Sequence, residues 1–136
     1  MAATATRFDR MVPASPDTIG ALRRELRRWA RRQGASAATQ ANVALAFSEA
    51  CTSIIGPDAS DEDEPGPLMV EAWVDDEELE VRVSHRSRGA PAAPGEFGYG
   101  FGLALITRLC DRFEVRRRAE QPGTALLMSF RLAGPT

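Results

Sequence analysis

The sequence predicts a two-layer α+β sandwich, in which three helices cover one face of a mostly antiparallel sheet. Three observations lead there. Two long stretches, beginning after Ser15 and after Ser36, repeat apolar residues every three and four positions. Four later stretches alternate with period two and fall into two pairs, each closed by a polar or glycine-containing turn. Between the pairs, a glycine-rich run leads into one more short apolar helix. The order strand, two helices, two strands, helix, two strands segregates the helices to one side of an antiparallel sheet. At 136 residues and 43% hydrophobic, the chain is expected to fold as one domain over residues 1–136.

The elements follow from local chemistry. Thr6 to Pro13 reads as a short extended start. Ser15-Pro16-Asp17 then supplies a cap, a proline for the first helical position and an acid for the first turn; Ile19, Leu22, Leu26 and Trp29 form the apolar stripe behind them. Gly34 is the expected stop, after a helix running to about Gln33. The opposite face holds Arg23, Arg24, Arg27, Arg28, Arg31 and Arg32, either a solvated face or a docking surface for an acidic partner. Ser36 is the second candidate cap, and Val43, Ala46, Phe47, Ala50 and Ile54 describe a long helix from about Ala37 to Ile55. Gly56-Pro57 would end it, and the acidic stretch Asp58 to Pro67 reads as a connector.

From Leu68 the period becomes two. Leu68, Val70, Ala72 and Val74 alternate with Met69, Glu71 and Trp73, and the chain turns at Asp75-Asp76 into Leu79, Val81 and Val83. Ser87 to Gly100 is rich in glycine, proline and alanine, and Phe101 to Leu109 is the short apolar helix. Phe113 to Arg118 and Ala125 to Leu132 make a closing hairpin about Gln121-Pro122-Gly123.

Composition removes several function classes. All seventeen basic residues are arginine, so neither a Walker-type lysine nor a Schiff-base amine is present, which excludes P-loop and pyridoxal chemistry. With a single histidine, His85, there is no multi-histidine metal site. Cys51 and Cys110 stand far apart in apolar segments with no CxxC pair, and read as small buried hydrophobes in a reducing compartment. A net charge of -2 argues against direct nucleic-acid binding through the overall field. No apolar stretch approaches the roughly 18 residues of a membrane span, and Arg7, Asp9 and Arg10 occupy the place of a signal's apolar core, which points to a cytoplasmic protein away from membranes.

Three stretches carry candidate chemistry. In Gly95-Glu96-Phe97-Gly98-Tyr99-Gly100-Phe101-Gly102-Leu103, glycines at alternate positions let main-chain N–H groups approach an anion at a helix N-terminus, which suits phosphate. The spacing is GxGxG without a parallel βαβ unit, against a dinucleotide-binding Rossmann site. Glu49 lies among Leu45, Ala46, Phe47 and Ala50, with Ser53 one turn on; periodicity puts the carboxylate at a helix edge in water or in a polar pocket. Val83-Ser84-His85-Arg86-Ser87-Arg88-Gly89 is a strand exit of small and charged residues.

Together these stretches resemble the ATP-binding domain shared by gyrase, a heat-shock chaperone, histidine kinases and MutL, known as the GHKL or Bergerat fold. The similarity is strongest to bacterial anti-sigma factor serine kinases. It rests on LRRELRRWARRQG at Leu22 to Gly34, VALAFSEACTSII at Val43 to Ile55, GYGFGLALITRLCD at Gly98 to Asp111, and Gly123-Thr124. The resemblance implies a site for ATP and magnesium built from Glu49 as catalytic base, from Ser53, His85 and Gly89, from Gly98, Gly100, Gly102 and Leu103 of the phosphate lid, and from Thr124. It implies as partner a sigma factor or an anti-sigma antagonist protein, and pairing of family members through the sheet edge and first-helix region, hence a homodimer.

The departures are specific. Four residues after its Glu the family carries an Asn that ligates magnesium; here Ser53 stands there, as the weak metal-ligand replacement. The family's DxGxG box, whose Asp accepts from the adenine amino group, aligns with His85, Ser87 and Gly89. Losing a charge-assisted hydrogen bond in a desolvated pocket costs roughly 1.5 to 3 kcal/mol, about one to two decades in affinity. Two readings follow: a transcription regulator acting by protein binding with ATP binding weakened or lost, a pseudokinase; or a working ATP-dependent serine kinase that phosphorylates an antagonist. A plain dimerisation module is a third class.

Overall fold

The structure is a computed structural model describing residues 7–55, 67–85, 100–117 and 124–133. Strand β1 (Phe8–Pro13) leads into helices α1 (Pro16–Arg32) and α2 (Ala37–Ile55), then β2 (Pro67–Asp75) and β3 (Glu78–His85), α3 (Gly100–Leu109), β4 (Arg112–Arg117) and β5 (Thr124–Arg131). All neighbours in the five-stranded sheet, ordered β1-β2-β3-β5-β4, run antiparallel. This is the expected α+β architecture. Boundaries differ from the sequence reading by one or two residues, as strand and helix ends do. The stretches Gly56-Pro57, Asp58 to Gly66, Arg86 to Tyr99 and Gln121-Pro122-Gly123, with Gly89 and Gly98 among them, lie outside the described residues.

Helix α1 forms because both ends are closed by side chains or by a permitted backbone twist. The Ser15 hydroxyl accepts from the Thr18 N–H at 3.3 Å, and Pro16 occupies the first turn. At the other end Gly34 has φ of 97°. The Ala35 N–H reaches back to the Ala30 carbonyl at 3.1 Å and the Gly34 N–H to that of Arg31 at 3.0 Å, the two bonds of a Schellman motif. The motif reverses the chain within three residues and delivers Ser36, whose hydroxyl accepts from the Thr39 N–H at 3.1 Å and caps α2.

The period-two pattern becomes two sheet faces. Toward the helices point Phe8 on β1, Leu68, Val70 and Ala72 on β2, Leu79, Val81 and Val83 on β3, and Leu126, Met128 and Phe130 on β5, all buried. They meet Leu22, Leu26 and Trp29 of α1, Val43, Phe47 and Ala50 of α2, and Ile106 of α3 in one core. Phe8 and Trp29 meet with tilted rings, centroids 6.0 Å apart. Across the sheet, α1 packs on β1, α2 on β3 and β5, and α3 on β4, while α2 also touches both other helices.

The other sheet face is closed by charge pairing instead of helices. Asp9, Glu71 and Arg82 lie in one cross-strand row, and Arg7 bonds Glu71 at 2.8 Å and Asp9 at 3.0 Å; these carboxylates hold the Arg7 guanidinium, Asp9 foremost, above its ordinary pKa. Trp73, Glu80, Ser129 and Arg112 form the next row, in which the Ser129 hydroxyl donates to Glu80 at 2.5 Å and Arg112 pairs with Glu78. Met11 and Met69, directly opposite each other near the β1 edge, are its exposed large apolar residues on those strands.

Cys51 is fully buried, as expected, but Cys110 is half-exposed, because α3 ends at Leu109 and the thiol sits at the rim, donating to the Ile106 carbonyl. Burial pushes the Cys51 thiol far up and that of Cys110 up to about 11. At pH 8 roughly one Cys110 in a thousand is then thiolate. Alkylation of the native protein at pH 8 is expected to leave Cys51 unmodified and to label Cys110 at least about tenfold more slowly than in the unfolded chain. Rapid labelling of Cys51 would contradict this packing.

Two glycines give opposite predictions. Gly20 lies inside α1, and a Cβ there meets only the Arg24 side chain, at 3.9 Å, so Gly20→Ala is expected to stabilise by about 0.5 to 1 kcal/mol. A Cβ at Gly34 meets nothing within 4 Å, but the positive φ makes Gly34→Ala cost about 1 to 2 kcal/mol. Urea unfolding of the two variants checks the signs.

Candidate functional site

The direction of α2 decides what can meet at the candidate site. Its first turn is tied to the end of β5: the Thr39 hydroxyl donates to the Arg131 carbonyl at 2.8 Å, and the Ser36 N–H to the Leu132 carbonyl at 2.8 Å. Arg131 pairs with Glu78, the first residue of β3, and Thr124 pairs with His85, the last. The thirteen helical steps from Gln40 to Ser53 span about 20 Å. The seven strand steps from Glu78 to His85 span about 23 Å. Since α2 packs along β3 and β5, its Glu49–Ser53 turn comes down at the His85 and Thr124 end of the sheet.

Within that end the side chains are placed differently. His85 lies on the helix-facing side of β3, in line with Leu79, Val81 and Val83, and is 4% exposed. Ser53 is 8% exposed, on the core side of α2. Glu49, one turn earlier, is half-buried; Leu45, one turn before it, is 46% exposed, so this row of α2 runs along the edge of the layer. Thr124 begins β5 opposite His85 and Arg117. Gly100, Gly102 and Leu103 form the first turn of α3, which packs on α2, so the lid's helical part lies beside the Glu49 helix.

Two recesses lie elsewhere. One, of about 470 Å³, is on the charge-paired sheet face between Glu80, Arg112, Phe113, Glu114, Leu127 and Ser129. The other, of about 210 Å³, is beside α1, lined by Phe8, Arg10, Glu25, Arg28 and Arg32. The second joins Arg10 of β1 to the arginine face of α1, an association that sequence reasoning missed. Arg10 donates to Glu25 at 3.2 Å and lies over the Phe8 ring at 4.4 Å. The only signal in the sequence is that Arg10 sits at period two from Phe8 and Val12, on the strand's inward side.

A family model described as "Histidine kinase-like ATPase domain" matches residues 12–130, from the end of β1 to the end of β5. The chain belongs to the histidine kinase-like ATPase family. Among solved structures, the RsbU and RsbW domains of Rv1364c from Mycobacterium tuberculosis align with a TM-score of 0.74 at 21% identity. That alignment covers 98% of this chain and 34% of the other, and at this identity it shows a shared fold. No curated protein matches the sequence. The five-stranded antiparallel sheet and three helices are consistent with that family's fold.

No helix among the described residues is long and apolar enough to cross a membrane. Nor do the described residues include a group of three or more His, Cys, Asp or Glu able to hold a metal ion.

Proposed function

We propose that this histidine kinase-like ATPase domain is a regulatory protein that acts by holding a protein partner, with ATP and magnesium binding weakened or lost. The partner is a sigma factor or an anti-sigma antagonist, by analogy with the anti-sigma kinase fold. The observation that carries the reading is the burial of both substituted anchors, His85 at 4% and Ser53 at 8% exposed.

The chemistry of these two residues supports it. A group that reads an adenine amino group must present an acceptor to the base. The family's Asp does so with a charged carboxylate on a short stem, whereas His85 is a bulkier ring held in the layer between sheet and helices. Ser53 offers a single neutral hydroxyl where magnesium needs oxygen ligands in near-octahedral array. Ser53, one bond shorter than the family's Asn, is the weaker ligand for magnesium, and phosphoryl transfer relies on that ion to neutralise developing charge. What persists is the lid's helical turn from Gly100 and the carboxylate of Glu49, a scaffold without its grip on base and ion.

A working kinase is the second reading, and one observation favours it: Glu49 is half-buried at the edge of α2 and not sealed in the core, as a base acting on a hydroxyl requires.

Calorimetric titration with magnesium and a non-hydrolysable ATP analogue separates the two. The expected result is no binding tighter than about 1 mM; micromolar affinity would overturn the proposal. The double substitution Ser53→Asn with His85→Asp is expected to tighten binding by at least about tenfold, since each restored anchor is worth one to two decades. No gain from it would contradict the assignment of these two positions.

A further inference from the structure

Helix α1 gathers six exposed arginines on one face. Arg7, Arg10, Arg82, Arg112 and Arg116 each pair with a carboxylate. None of Arg23, Arg24, Arg27, Arg28, Arg31 and Arg32 does so among the described residues, although all six are exposed. The one acid in their midst, Glu25, is engaged by Arg10 of β1. They form two rows along the helix, Arg23-Arg27-Arg31 and Arg24-Arg28-Arg32, with like charges one turn apart. Such spacing is unfavourable within a helix, and only Arg31 and Arg32, in the last turn, are offset by the helix dipole. The array therefore holds positive charge that the rest of the fold does not neutralise.

Its geometry selects an occupant. Each row steps about 6 Å, four residues at 1.5 Å, and the array from Arg23 to Arg32 is about 14 Å long. Carboxylates repeating every fourth residue on another helix step by the same distance, and guanidinium forks bind carboxylates pairwise. The 210 Å³ recess, lined by Phe8, Arg10, Arg28, Arg32 and the Arg10-paired Glu25, sets three guanidinium groups against one carboxylate and gives one such side chain a place to enter. Nucleic acid is disfavoured because the patch is one short helix face on a chain of net charge -2, so that a phosphate backbone continuing past it meets a net repulsive field.

We propose that this face of α1, with the recess between Phe8, Arg10 and Arg28, docks an acidic helix of the protein partner whose carboxylates repeat every fourth residue. This rests on the protein-binding reading above, and names the surface and the chemistry that recognises it.

The test uses the whole chain and two synthetic helical peptides of identical composition, in about 150 mM salt to screen non-specific attraction. One places glutamates every fourth residue along a single face; the other disperses them around the helix. Fluorescence anisotropy is expected to show the patterned peptide binding at least about tenfold more tightly. Charge reversal at Arg24, Arg28 and Arg31 together is expected to remove that preference while circular dichroism shows the fold retained. Arg28→Gln alone, the milder change, is expected to weaken the patterned peptide several-fold. Equal binding of the two peptides, or binding that survives the charge reversal, would overturn the proposal. So would displacement of the peptide by a short DNA duplex at lower concentration, which would mark a nucleic-acid surface. Sedimentation showing a dimer that the triple reversal dissociates would assign the face to a second copy of this chain, against the proposal. An ATP titration on the same sample reports on the nucleotide site independently, so failure of one reading is distinguishable from failure of the other.

Discussion

Helix α2 is attached at its first turn to the end of β5, through Thr39 and Ser36, and this attachment determines what the rest of the molecule can bring together. Thr39 is 3% exposed and its hydroxyl is satisfied by a strand carbonyl, so the bond is made where water does not compete. With that end fixed and the apolar stripe of Val43, Phe47 and Ala50 facing β3 and β5, the helix has one direction open to it. Its far end, with Glu49 and Ser53, comes down over His85 and Thr124. The Schellman turn at Gly34 matters for the same reason, because it brings Ser36 to the strand end in three residues.

Where a buried layer meets a binding cleft, polar side chains must serve both. A buried polar group is tolerated when it is hydrogen-bonded, and a charged one needs a partner or a ligand. His85 and Ser53 are buried in this layer, whereas an Asp and an Asn at these positions would bring a charge and an amide that need a partner or a ligand there. The concentrated unneutralised charge on the described surface lies on α1, which packs on β1 and α2.

Much of this was legible in the residues themselves. Ser15-Pro16-Asp17 and Gly34 bracket α1, Ser36 caps α2, and the alternation from Leu68 to Val83 delivers two strands and their inward faces, because each signal is local and acts through hydrogen bonding or side-chain period. The pairing of Asp9 with Glu71 and Arg82, and the approach of Arg10 to Glu25, were not legible. They depend on strand order and register, which join residues far apart in the chain and leave no mark on composition. Glu49 was ambiguous for a related reason: periodicity separates inward from outward but does not resolve the edge of a stripe, where this carboxylate lies half-buried. Cys110 read as core because its neighbours are apolar, yet the helix end leaves it at the rim.

The chain contains one histidine, so His85 can be followed alone. Two-dimensional NMR of the nitrogen-15-labelled imidazole, recorded as ATP and magnesium are added to millimolar concentration, watches the position where the family grips the base. With binding no tighter than about 1 mM, the ring resonances are expected to show no saturation across the titration. A saturable shift of those resonances, at micromolar nucleotide, would contradict it and return the domain to the nucleotide-binding members of its family.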